Sequence, residues 1–132
     1  MSVFDSNNSR FLVSVYFVGI PIFIGTLIYV LSRDSSVYFI RFLHLDIVTV
    51  ELPYWIKYNL PDGLWAFAFV SLLTIVWKGE YSREYHIWLS LVICIAVFLE
   101  VFYGTFDWYD LLFILVGMVI SYYVFRRIKF KN

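Results

Sequence analysis

Hydrophobic residues along this chain gather in four long blocks separated by short polar stretches. They do not alternate as in strands, nor do they leave the wide polar face of a soluble amphipathic helix. The blocks run from about Phe11 to Ser32, Gly63 to Trp77, Tyr85 to Tyr103 and Trp108 to Phe125. A helix needs about 17–25 apolar residues to cross the hydrocarbon of a bilayer, so the second block is short and the others are long enough. The pattern therefore predicts an all-α polytopic membrane protein with four transmembrane helices, forming one domain over residues 1–132. Short connections, Lys78 to Glu84 and Gly104 to Asp107, make the last three helices neighbouring antiparallel elements. Pro21 is expected to kink the first helix.

Between the first two helices lies a stretch that is not an ordinary polar loop. Ser36 to Leu45 is mostly apolar but too short to span, and it reads as an interfacial or re-entrant segment on the outer side. Val48 to Leu60 contains β-branched residues followed by Pro53, Tyr54 and Trp55, and is expected to be extended or irregular chain capping the outer end. Small residues mark the packing faces, since membrane helices approach one another where side chains are small. These are Ser14, Pro21, Gly25 and Ser32 in the first helix and Ala68 and Ser71 in the second. In the third Ala96 precedes Glu100 by a turn, and in the fourth Asp110, Ile114, Gly117 and Ser121 share a stripe.

Composition agrees with this pattern. The chain is 62% hydrophobic and 15% charged, against the roughly 25% charged residues of a soluble domain. Its partner is thus the lipid bilayer, and a net charge of zero gives no reason to expect nucleic acid. The single cysteine, Cys94, excludes an intrachain disulfide and reads as a packing residue. The first apolar block is expected to remain as an anchor, because it continues far beyond the length of a signal-peptide core.

The placement of the cations sets an expected orientation. Arg10, Lys78, Arg83, Arg126, Arg127, Lys129 and Lys131 fall on one side of the predicted membrane, and Arg33, Arg41 and Lys57 on the other. Cytoplasmic segments carry the excess of Lys and Arg, which puts both termini inside. Trp55, Trp65, Trp108 and Tyr109 would then form the outer aromatic belt, and Trp77, Tyr81, Trp88, Tyr122 and Tyr123 the inner one. The basic tail after Phe125 is a natural contact for anionic lipid.

In this topology the acidic residues of the helix ends collect on the outer face: Asp62, Glu100, Asp107 and Asp110. Asp62 and Asp107 are placed to act as N-caps and Asp110 as the second member of a capping box, roles that need no ligand. Glu100 lies in the apolar run Ala96 to Phe102, where a carboxylate should turn inward and find a partner. Arg41, His44 and Lys57 are the candidate cations, with Asp110 as an alternative if one carboxyl is protonated. His44 and His86 fall on opposite sides, so they cannot share a metal, and the sequence implies no cofactor. No nucleophile–base pair with a recognisable spacing is present, which makes an enzyme the least favoured reading.

The run Glu100 to Asp110, EVFYGTFDWYD, followed by Gly117, resembles the VanZ-like family of small membrane proteins. That family shows a glutamate near the end of one helix, a short turn, an aspartate opening the next and a glycine about seven residues later. Glu100, Asp110 and Gly117 match those positions, and Leu60-Pro61-Asp62-Gly63 looks like the family's earlier acidic turn. Departures fall at the family's polar positions: Val101, Phe102 and Tyr103 stand for a polar residue, Thr105 for an arginine, and Leu115 and Val116 for an asparagine. The resemblance covers the chain from Leu60 onward. It implies a protein of the bacterial inner membrane acting at the cell envelope through the outer acidic cluster. The family's namesake is associated with reduced susceptibility to the glycopeptide teicoplanin. Two other readings remain open: a small accessory subunit of a larger membrane complex, or a self-associating cation pore lined by Glu100 and Asp110.

Overall fold

The computed structural model describes residues 7–32, 50–103 and 107–128, with the backbone alone for 7–9, 99, 100 and 103. The described residues are helical apart from short connections, and form α1 (Asn7–Ser14), α2 (Ile20–Ser32), α3 (Leu60–Val76), α4 (Arg83–Tyr103) and α5 (Trp108–Arg127). Among them are three stretches long and apolar enough to cross a membrane: Arg10–Ser32, Trp55–Val76 and Trp108–Arg127. Large apolar side chains face outward along these helices, Phe11, Phe23, Phe69, Val76, Leu112 and Val119 among them. Water would not tolerate so much contiguous apolar surface, whereas hydrocarbon solvates it. The expected segment from Ser36 to Leu45 lies outside the described residues.

Two prolines are accommodated by the same device. A single π turn, Val15–Gly19, joins α1 to α2 just before Pro21, and another, Trp55–Asn59, leads into α3 just before Pro61. In each, the residue ahead of the proline donates its N–H five residues back, Ile20 to Val15 and Leu60 to Trp55. Proline has no N–H to give and its ring crowds the carbonyl four residues earlier. A turn widened by one residue relieves that crowding without ending the helix. One expectation changes as a result: the stretch ahead of Pro61 is helical from Tyr54 onward rather than irregular, while Pro21 sits in a continuous helical run with a π turn beside it. The second span is accordingly 22 residues long, not the short helix expected from Gly63.

α3 is the hub. The α1–α2 helix runs antiparallel to it, with Phe17 stacked on Phe67 at 6.4 Å and Gly25 beneath Trp65. α5 runs parallel to it, since Asn59, Gly63 and Ser71 meet Asp110, Gly117 and Ser121 in ascending order. α4 returns antiparallel, with Thr74 and Tyr85 joined through their hydroxyls at 3.1 Å. Its 21 residues would measure about 31 Å. The connection from α3 to α4 is tight: Gly79, with φ of 72°, donates to the Thr74 carbonyl at 2.8 Å, and the Ser82 Oγ accepts from the Tyr85 amide at 3.3 Å. Helix α4 therefore starts at Arg83, two residues before its expected start.

Most of the expected packing stripes point inward. Pro21, Gly25, Ser32, Ala68, Ser71, Asp110, Gly117 and Ser121 are buried, and Ser14, Ala96 and Ile114 are half-buried. The closest approach is between α3 and α5, where a Cβ on Gly117 would overlap the Gly63 carbonyl oxygen. Both residues are backbone-limited here, so neither can yield by rotating a side chain. Gly117→Ala should lower stability by about 1–3 kcal/mol, the usual cost of overpacking. Gly19→Ala, whose new methyl would meet only the Ser14 carbonyl oxygen at an ordinary contact distance of 3.9 Å, should leave it unchanged or slightly raised. Unfolding temperature in mild detergent separates the two outcomes.

Candidate functional site

Asp107 caps α5 as expected. Its backbone is extended, with φ of −120° and ψ of 128°, and its carboxylate accepts from the Tyr109 amide at 3.0 Å. The free N–H groups and the positive end of the helix dipole both favour an anion there. Its second oxygen accepts from the Tyr54 hydroxyl at 3.4 Å, tying the chain ahead of α3 to the start of α5. The Tyr54 phenol is raised above its usual value, first by loss of water around it and then by the Asp107 carboxylate.

Asp110 carries more than the expected capping role. It is 8% exposed, and its Oδ1 accepts a hydrogen bond of 2.5 Å from Asn59 Nδ2. Asn59 is itself 1% exposed and is the last residue of the π turn before Pro61. Asn59 stands one turn ahead of Gly63 and faces α5 with it. A carboxylate brought into an apolar bundle is costly unless a donor satisfies it. Here the donor comes from a different helix, so the pair also fixes how α3 and α5 meet.

Asp62 lies three residues beyond Asn59 in the first turn of α3, half-buried. The expectation that it would cap this helix is corrected, because helical residues precede it from Tyr54. Three and four residues along a helix share a face, so Asn59, Asp62 and Gly63 look the same way. Lys57, a candidate partner for Glu100, is half-buried in the π turn with its ammonium 5.2 Å from the Tyr58 ring. The Glu100 side chain and the whole of Arg41 and His44 lie outside the described residues. Tyr54, Asn59, Asp107 and Asp110 thus form one polar cluster at one end of the bundle. Trp55, Trp108 and Tyr109 stand exposed beside it. No three His, Cys, Asp or Glu side chains among the described residues gather as a metal site requires.

The opposite end is aromatic and basic. Tyr81 packs edge-on against Tyr85 and Tyr122, both at 5.2 Å, and Trp77 reaches Tyr85 and Trp88. Burial pushes the Tyr81 phenol up to about 12, and its hydroxyl is buried without a hydrogen-bond partner. Lys78, Arg83, Arg126 and Arg127 are exposed around this cluster. The separation of an acidic end from a basic end is therefore present in the fold. Between the ends runs a dry polar seam, in which the Ser71 and Ser121 hydroxyls meet at 2.9 Å with neither residue exposed.

No protein-family model, curated protein or solved structure matches this chain. Tyr54 is expected only as part of the stretch capping the outer end, and Asn59 is not a candidate from the sequence, although one signal for it is present. Asn59 is a strongly polar amide one turn ahead of Gly63, on the face that Gly63 presents to its neighbour. Asn59→Ala should remove the Asp110 carboxyl's donor from α3 and cost about 1–3 kcal/mol, whereas adding Asp110→Ala to it should cost little more. A double-mutant cycle on detergent unfolding midpoints measures the coupling, and additive losses would show the two residues to be independent.

Proposed function

We propose that this chain is a four-span VanZ-like protein of the bacterial inner membrane, acting at the cell envelope through the acidic end of the bundle. The single observation that supports this most is the Asn59–Asp110 pair, a buried carboxylate held by a second helix beside Asp107 and Tyr54. Capping α5 needs only Asp107, which already accepts from the Tyr109 amide. The investment in a second, buried carboxylate is what a polar or cationic envelope ligand would use. Its place in the chain is also where the resemblance to the VanZ-like pattern is carried, by Asp110 and Gly117. In this reading α4 is the third span, both termini are cytoplasmic, and the cluster opens outward. The cation distribution supports that orientation.

A second reading, an accessory subunit of a larger membrane complex, draws on α4. This helix leans on the bundle through Tyr85, Leu89, Val92 and Ile93, while Ile87, Trp88, Leu91, Ile95 and Phe98 face away. Another membrane protein could cover that face as well as lipid does.

Orientation and role are tested in one bacterial strain. In a Cys94→Ala background, Glu51→Cys should react with an impermeant maleimide in intact cells and Glu80→Cys only after permeabilisation. Asp110→Asn, inserted at the normal level, should abolish any change in glycopeptide susceptibility that the native chain confers. Labelling of Glu80→Cys in intact cells would invert the orientation. Full retention of the phenotype by Asp110→Asn would remove the acidic cluster from the function. Co-purification of one stoichiometric partner with that phenotype absent would favour the subunit reading.

A further inference from the structure

At the basic end, α4 and α5 do not close on one another. A cleft of about 280 Å³ separates them, floored by Val70 of α3 and walled by Leu89 and Ile93 on one side and Met118, Val119 and Tyr122 on the other. Its lining is almost wholly apolar apart from the tyrosine hydroxyls. One turn beyond Tyr122 and Tyr123 the same helix presents Arg126 and Arg127, both exposed. Neither guanidinium forms an ion pair with a described residue. Asp107 and Asp110 are at the far end of α5, and the acidic residues described at this end, Glu80 and Glu84, lie on the α3–α4 connection and the first turn of α4.

We propose that this cleft holds one acyl chain of a phospholipid whose anionic headgroup is bound by Arg126 and Arg127. The bilayer is the medium around these helices, and it offers no hydrophobic reward for closing the gap by moving α4. An empty cleft would lose dispersion contacts along both walls, and a flexible hydrocarbon chain restores them. Arg126 and Arg127 lie one turn beyond the lining Tyr122 and Tyr123 on the same helix, and their planar forks match phosphate oxygens. A lipid with net negative charge uses both arginines. A zwitterionic lipid carries its own ammonium and gains less.

Native mass spectrometry of the full chain in mild detergent tests this, with phosphatidylglycerol and phosphatidylcholine of identical acyl chains as probes. The native protein should retain one phosphatidylglycerol about 25-fold more tightly than phosphatidylcholine, from roughly fivefold for each of the two arginines. Arg126→Gln with Arg127→Gln should erase the preference while leaving weak binding of both lipids. Val119→Trp, which fills the cleft, should weaken both lipids about tenfold with the arginines intact. Should Val119→Trp lower helical content by circular dichroism, Ile93→Phe serves the same purpose from the other wall. Arg10→Gln with Lys78→Gln removes the same charge from the same end outside the cleft, and should change retention less than twofold. Equal retention of the two lipids by the native chain would overturn the proposal. So would an equal loss in the Arg10 and Lys78 variant, which means diffuse attraction, or full retention in a well-folded cleft-filled variant.

Discussion

Where the Gly63 carbonyl meets the Cα of Gly117, α3 and α5 come closer than any side chain would permit, and the remaining contacts follow from that approach. In lipid the apolar faces gain nothing by leaving hydrocarbon, so association rests on packing and interhelical hydrogen bonds. The bonds are individually small, about 0.6 kcal/mol on average for side chains between membrane helices. The Ser71–Ser121 contact alone could not fix the pairing. The backbone approach multiplies weak dispersion contacts along the seam and brings the hydroxyls to 2.9 Å and the Asn59 amide to Asp110. The polar pairs then add direction: each is satisfied in one register, and a slipped register would strand both in a dry interior.

The same logic explains the prolines. A proline in a membrane helix must have its freed carbonyl resettled within the protein, because lipid offers no donor. Both π turns keep the chain helical up to the proline, with Ile20 and Leu60 each donating five residues back. Asn59, one turn ahead of Gly63, shares the face of α3 that meets α5. The buried carboxylate, its donor and the Gly63–Gly117 approach thus come from one continuous stretch of α3 packed on one stripe of α5. At the other end, Tyr81, Tyr85 and Tyr122 fill the space between the helices, and the bundle opens below them into the α4–α5 cleft.

Much of this was legible from residue order. Block length and the near absence of charge inside the blocks located the helices, and spacing of small residues identified Gly117, Ser121, Ala68 and Ser71 as inward-facing. Asp107 as a cap followed from its position before Trp108. Three things were not legible, each for a physical reason. The helical run from Tyr54 was hidden because β-branched residues and Pro53 precede it and Pro61 interrupts it, and a π turn leaves no periodic trace. Asp62 looked like a cap because Pro-Asp-Gly is a common helix start, whereas here that tripeptide lies inside a helix already begun. The Asn59–Asp110 bond joins residues 51 apart, and no local pattern announces a partner on another helix.

The parallel pairing of α3 with α5 in one register is the claim on which the site, the seam and the cleft all depend. Its most direct measurement is a cross-link between Ser71→Cys and Ser121→Cys in a Cys94→Ala background, assembled in membranes and oxidised mildly. The serine Oγ atoms lie 2.9 Å apart, so an intramolecular disulfide should form rapidly and shift the band on a non-reducing gel. Moving one cysteine to Leu72, which faces outward, should abolish it. Failure of the Ser71–Ser121 pair to cross-link, or cross-linking only between two copies of the chain, would contradict the account.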